Sequence, residues 1–346
     1  MTAATAIMPT TAMTPMTAGA PVKTHVRGRY APSPTGPLHL GNARTALLAW
    51  LQVRSQGGAF VLRMEDLDHQ RSSPQAATAL LEDLRWLGLD WDEGPDVGGP
   101  YTPYVQSQRQ ALYEEALAQL REQNRLYRCY CTRAELAWAA NAPHPDEEGP
   151  PYRGTCRSLT AADSARHEAA GRRGSWRYHV DPGPVCYKDD LAGPVCQDVA
   201  EAVGDFVVQR SDGVVAYQLA VVADDALMHI THVLRGADLI SSTPRQIMLY
   251  RALGFLPPRF AHVPLLYGAD GARLSKRHGS VSVASLRGSG IAAEVVTGYL
   301  SWLSGLVPKG TAARPSDLVS RFSMETVSRR PSVVDPSRLV PELQAW

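Results

Sequence analysis

His39 is a side chain in this 346-residue sequence that could do chemistry, and it sits in a turn crowded with proline and glycine. The run is Arg29-Tyr30-Ala31-Pro32-Ser33-Pro34-Thr35-Gly36-Pro37-Leu38-His39-Leu40-Gly41-Asn42, where a strand-like segment gives way to helical spacing. Backbone N–H groups at the start of a helix can hold phosphates, and an imidazole adds a donor without a permanent cation. Gly41 lets a nucleotide come close to the backbone. Much later, Arg273-Leu274-Ser275-Lys276-Arg277-His278-Gly279-Ser280 forms a basic, glycine-containing loop. Such a loop can bring positive charge to a phosphoryl group as it becomes five-coordinate, where charge develops, and Lys276 is the candidate for that role. Each segment alone reads as a proline-rich turn or a solvated basic turn. Together they point to nucleotide chemistry.

A third constellation is Cys129-Tyr130-Cys131 followed by Tyr152-Arg153-Gly154-Thr155-Cys156. Three soft thiolates near two turns suit tetrahedral zinc. On residue types alone the fourth ligand would be His144 or water, and three buried cysteines without metal is the ordinary alternative. Five cysteines, an odd and unevenly placed set, argue against a disulfide framework in a chain of this size. Cys186 and Cys196 match no ligand spacing and read as core.

The elements that must position these groups follow an α/β order. Gly28 to Ala31 reads as a strand, with helical apolar spacing from Gly41 through Leu51. Phe60 to Met64 is a second strand, and Ser73-Pro74 opens a second helix as N-cap and first residue. Ser107 and Gln110 predict a capping box for a third. This is the opening half of a doubly wound domain, whose sheet should be parallel. From about Arg125 to Asp198 the pattern breaks into short strands and Gly/Pro turns, which reads as an insertion. Alternation then predicts a hairpin of Phe206 to Arg210 with Val214 to Leu219. Further strands are expected at Thr231 to Arg235 and His262 to Leu266, with helices from Thr243-Pro244 and from Ile291 to Leu306. The expected division is 1–24 as a disordered extension, 25–124 and 199–284 as two halves of the nucleotide domain, 125–198 as the insertion and 285–346 as a short helical tail.

At 44% apolar residues the chain can bury a substantial core. No run of eighteen apolar residues occurs, so no membrane span is expected, and the cytoplasm is the default location. The net charge of +1 hides an asymmetry, since residues 251–346 hold twelve Lys/Arg against six Asp/Glu. A polyanion would dock on that third of the chain.

The two phosphate-type segments resemble the His-Ile-Gly-His and Lys-Met-Ser-Lys-Ser signatures of class I aminoacyl-tRNA synthetases in their glutamyl form. The resemblance runs from Arg27 to about Pro341. It implies a Rossmann-like fold and adenylate chemistry, in which the amino acid's own carboxylate attacks the α-phosphate of ATP, with Mg, and no protein nucleophile is needed. His39, Gly41, Asn42 and Lys276 would then serve ATP. Arg29, Tyr30, Ala31, Pro32 and Ser33 match the family's substrate segment. In Phe60-Val61-Leu62-Arg63-Met64-Glu65-Asp66-Leu67-Asp68, Glu65 would take the substrate's ammonium, while Asp66 and Asp68 read as caps. Tyr217 and Arg235 align with substrate-binding positions, and Arg235 would grip the glutamate side chain through two hydrogen bonds. Two departures are Arg273 for the first lysine of the loop and Asn42 for the last histidine of the first signature.

The cysteine pattern resembles the zinc site of the glutamyl-queuosine tRNA(Asp) synthetases, which implies one structural zinc on Cys129, Cys131, Cys156 and Tyr152. A full glutamyl-tRNA synthetase continues into a helical anticodon-reading domain, and this sequence stops sooner, so no such domain is expected. The resemblance thus implies L-glutamate, ATP and tRNA(Asp) containing queuosine as substrates, and a monomer. A truncated enzyme charging tRNA(Glu) and a catalytically silent tRNA-binding module are the alternatives.

Overall fold

The computed structural model describes residues 25–132, 135, 151–271, 274 and 281–346. Residues 1–24, His144, Arg273 and Lys276 lie outside the described residues. The chain opens with β1 (Arg27–Tyr30), α1 (Leu40–Arg54), β2 (Ala59–Leu62), α2 (Pro74–Trp86) and α3 (Gln110–Glu122). Next come β3 (Leu126–Cys129), α4 (Ala161–Ala169), β4 (Ser175–Tyr178), β5 (Pro184–Asp189), β6 (Gly193–Asp198), α5 (Val199–Ala202) and β7 (Phe206–Gln209). The second half runs α6 (Tyr217–Leu227), β8 (His232–Gly236), α7 (Ser242–Ala252), β9 (Arg259–Val263), β10 (Leu266–Tyr267), α8 (Val283–Gly288) and α9 (Ala293–Leu303). It ends with α10 (Pro315–Leu318), β11 (Ser332–Val333) and α11 (Pro336–Gln344).

The main sheet has the order β2-β1-β8-β9-β5-β6. Its pairs are parallel up to β5, and β6 closes the edge antiparallel. Strand alternation sends one set of side chains to each face. Phe60, Leu62, Leu234 and Ala261 join a core with α1 and the C-terminal helices, whereas Val61, Val233 and Phe260 join a second core with α3, α6 and α7. Helix α1 is buried around most of its circumference, as expected for a helix packed between a sheet and further helices. Gly28 permits this contact, because a Cβ there would lie 2.3 Å from Val53 Cγ2. Strands β3, β4 and β7 form a separate antiparallel sheet. Among the described residues no helix is long and apolar enough to cross a membrane.

Several expectations hold. Ser73 accepts from Ala76 N at 3.1 Å and α2 begins at Pro74. Others do not. Residues 214–219 do not form a strand, since α6 starts at Tyr217 and only an isolated Gln209–Val215 bridge remains. A short apolar run does not by itself separate strand from buried helix, and here Leu219 to Ala223 are buried as a helix. The predicted capping box is absent: Ser107 gives its N–H and hydroxyl to the Asp66 carboxylate at 2.8 and 2.6 Å, and α3 starts at Gln110 without a side-chain cap. The strand expected at 262–266 is split between β9 and β10.

The sharpest correction concerns Cys186 and Cys196. They are neither core nor free thiols but a disulfide. They sit directly opposite each other in the β5–β6 hairpin, on its exposed face. The repeated Gly-Pro-Val-Cys of 183–186 and 193–196 is the sequence signal that marks both arms of that hairpin.

Candidate active site and metal centre

The carboxyl ends of β1, β2 and β8 and the start of α1 enclose a cavity of about 760 Å³. This is the crevice where open α/β sheets take ligands. Arg29, Tyr30, Ala31, Pro32, Ser33, Glu65, Tyr217 and Arg235 all line it, as do His39, Gly41 and Asn42. The sequence therefore placed two distant groups of candidates on one surface.

Its floor is a buried charge network. Arg63 is 0% exposed and reaches Asp225 Oδ1 at 2.7 Å, Glu65 Oε1 at 3.0 Å and Asp224 Oδ2 at 3.5 Å. Arg29 Nε lies 3.3 Å from Asp225, and Arg109 Nε donates to Asp224 at 2.6 Å. Three guanidinium groups thus face three carboxylates, which is how buried charges are tolerated. Burial pushes the Glu65 carboxyl above its ordinary value against the pull of Arg63 and Arg29. Burial also opposes the charge on Asp225, but Arg29 and Arg63 outweigh it and hold that carboxyl below its ordinary value. Tyr217, the first residue of α6, is 37% exposed at the rim.

On the far wall Arg235, at the end of β8, donates through Nε to His262 and through Nη2 to Thr243 Oγ1 at 2.8 Å. Its buried Nη1 has no partner among the described residues. A guanidinium with one unpaired nitrogen, on a residue that lines a cavity, is suited to a ligand carboxylate. On the opposite side, the first turn of α1 supplies the segment around Gly41. A Cβ on Gly41 would meet nothing within 4 Å and would occupy cavity space instead. Leu274 also lines the cavity, and its N–H donates to Leu266 O at 2.9 Å.

Away from this cavity, the sulfurs of Cys129, Cys131 and Cys156 lie within 4.8 Å of one another. Cys131 and Cys156 Sγ are 3.5 Å apart, and the Tyr152 hydroxyl is 3.4 Å from Cys129 Sγ. Zinc–sulfur bonds of about 2.3 Å at tetrahedral angles would put sulfurs roughly 3.8 Å apart, so the cluster fits zinc. The Tyr152 oxygen also accepts from Cys156 N at 2.8 Å. Arg177 stacks over the Tyr152 ring, 3.8 Å from its centroid. Burial raises the Cys131 thiol to about 12, helped by the adjoining cysteines. Burial opposes ionisation of Cys129 as well, yet hydrogen bonds from Tyr152 and the Cys131 backbone, with Arg177 nearby, bring it below its ordinary value.

Residues 25–340 match the profile described as tRNA synthetases class I (E and Q), catalytic domain. A protein of Symbiobacterium thermophilum named Glutamyl-Q tRNA(Asp) synthetase is 56% identical over 88% of this chain and 94% of its own length. Its namesake in Nitratidesulfovibrio vulgaris is 50% identical over 92% and 98%. The chain belongs to the glutamyl-Q tRNA(Asp) synthetase family. Within the wider class I group, a glutamate–tRNA ligase of Syntrophus aciditrophicus is 46% identical over 92% of this chain but 65% of its own length. The crystal structure of the glutamate–tRNA synthetase of Elizabethkingia anophelis superposes with a TM-score of 0.79 at 29% identity, covering 91% of this chain and 69% of that one. The Rossmann-like α/β fold with a mostly parallel sheet is therefore the class I fold.

Set against this glutamyl-Q family fold, sequence reasoning missed the residues that hold the site together. Arg63 and Asp225 are 162 positions apart, and Asp189 and His262 are 73 apart. The one legible sign was Asp224-Asp225 closing an apolar run, a pair of carboxylates that a buried helix would not otherwise carry.

Proposed function

We propose that this protein activates L-glutamate with ATP and transfers the glutamyl group to the queuosine base in the anticodon of tRNA(Asp). The observation that carries the reading is the single cavity whose wall combines Arg29, Glu65, Tyr217 and Arg235 with the first turn of α1. Those groups complement an amino acid with a second carboxylate beside a nucleotide. In the first step an oxygen of the α-carboxylate bonds to the α-phosphorus of ATP, and the bond to pyrophosphate breaks. In the second a hydroxyl of the cyclopentenediol attacks the acyl carbon, and AMP leaves. Glu65 holds the ammonium, and Arg235 grips the side-chain carboxylate with its unpaired Nη1. His39, Gly41, Asn42 and Lys276 orient the triphosphate with its Mg²⁺, and Lys276 stabilises charge developing at phosphorus.

Zinc on Cys129, Cys131, Cys156 and Tyr152 would brace the small sheet of β3, β4 and β7, with no part in the chemistry. This reading makes the small sheet of β3, β4 and β7 the inserted subdomain, with β5 and β6 counted to the main sheet, and the enzyme a cytoplasmic monomer. The near-full-length match to the glutamyl-Q relatives supports the acceptor over tRNA(Glu). The glutamate–tRNA ligases keep the alternative open, because the chain spans about two thirds of their length.

The test offers labelled glutamate and ATP with queuosine-containing tRNA(Asp), the same tRNA lacking queuosine, and tRNA(Glu). Label is expected only in the first. Comparable labelling of tRNA(Glu) would replace this acceptor with the terminal adenosine.

A further inference from the structure

The Arg235 guanidinium is held by a relay that spans three neighbouring strands. Residues 235 and 262 are Cα partners in the parallel β8–β9 register, and Asp189 at the end of β5 pairs with Phe260 of β9. Arg235 and His262 thus stand side by side at the carboxyl edge of the sheet, and the Asp189 side chain reaches forward from its own register position to His262. Asp189 Oδ1 accepts backbone N–H groups of Leu191, Ala192 and His262 at 2.9, 2.8 and 3.1 Å. Its Oδ2 lies 2.6 Å from His262 Nδ1. Asp189 and His262 are both buried, with side chains fully out of solvent.

A carboxylate only accepts, so the ring proton must sit on Nδ1. The neutral ring then offers Nε2 as an acceptor, and Arg235 Nε donates to it at 3.0 Å. A second point of attachment is Thr243, whose hydroxyl accepts from Nη2 and lies 3.2 Å from His262 Nε2. Two fixed N–H groups define the plane of a guanidinium. The nitrogen left over is Nη1, which has no partner among the described residues, on a side chain that lines the cavity.

We infer that Asp189 and His262 are positioning residues that set the guanidinium plane of Arg235 and so determine how tightly the enzyme holds the side-chain carboxylate of its amino-acid substrate. The inference rests on the assignment of Arg235 as the carboxylate reader made above. A ring protonated on Nε2 would turn a donor against the donor of Arg235, and a ring with no nitrogen would leave Nε unpaired in a dry site. In both cases the guanidinium must rotate to find another acceptor, and Nη1 leaves its place. The bland alternative is a satisfied core histidine whose loss only weakens the fold.

Glutamate-dependent exchange of pyrophosphate into ATP separates the two, using His262→Phe, His262→Gln and Asp189→Asn. A glutamine amide oxygen can stand where Nε2 stands, while phenylalanine keeps the bulk without the acceptor. The expected result is a KM for glutamate raised about 10-fold or more in His262→Phe and Asp189→Asn, with the KM for ATP unchanged. His262→Gln should recover most of the glutamate affinity. A structural role would lower the melting temperature and kcat and leave that KM alone, and equal losses in His262→Phe and His262→Gln would overturn the proposal. NMR of isotope-labelled histidine gives a readout that does not depend on catalysis. It should find His262 neutral with its proton on Nδ1, and a proton on Nε2 at neutral pH would contradict the relay even if no substrate had been assigned.

Discussion

Arg63 illustrates how residue-scale chemistry is held in place. Its side chain has no solvent contact, and its three carboxylate partners come from β2's exit and from α6. Removing one member of such a set leaves uncompensated charge in a medium that solvates it poorly. Arg63→Met should therefore destabilise the fold by about 3–5 kcal/mol, read from the denaturant midpoint. It should also cost glutamate binding, because Glu65 would lose the guanidinium that holds it and Asp225, which anchors Arg29, would lose one of its two cations. An unchanged midpoint would show that Asp224 and Asp225 take up protons without cost, and the network would then have no role in stability.

At the scale of elements, the sequence was most legible where local rules act alone. Ser73-Pro74 marked the start of α2, and the proline-rich turn into α1 stands where the helical spacing began. It was least legible where a distant partner outbid a local one. Ser107 caps nothing because the Asp66 carboxylate lies within reach, and Tyr217 starts a helix because the core beneath it takes Leu219 to Ala223 on every side. The candidate segments around Arg29, His39, Glu65, Tyr217 and Arg235 that meet at one cavity could be picked out in the sequence because each lies in a short run resembling a family signature. Arg63, Asp189 and His262 were not, since their meaning exists only once β2, β5, β8 and β9 stand near one another. Cys186 and Cys196 were misread for the same reason, as residues ten positions apart become neighbours only in a hairpin. The cysteine trio by β3 invites its own test. Protein purified without chelator should carry close to one zinc per chain, and Cys156→Ser should lose it while Tyr152→Phe retains a weakened site. Folded wild-type protein free of metal at stoichiometric zinc would reject the assignment.

Over the whole molecule, the two faces of the sheet serve different ends. The face with α1 extends into the C-terminal segment, whose Leu339 and Leu343 are buried in the same cluster as Leu47. β11 pairs with β10 beside the cavity wall at Leu266. The last residues are thus part of the structure behind the site and not a loose tail. The other face carries the charge network and α6. Between them lies the cavity, lined by side chains contributed from residue 29 to residue 274.

That arrangement makes the central claim measurable without any RNA. Folded protein with ATP, labelled pyrophosphate and glutamate should incorporate label into ATP, and omission of glutamate should abolish it. Arg235→Ala should reduce the rate at limiting glutamate by about 100-fold, the worth of a paired hydrogen bond to a charged group. No glutamate-dependent exchange from the folded wild-type protein, or equal exchange from Arg235→Ala, would contradict an adenylate-forming site in this cavity.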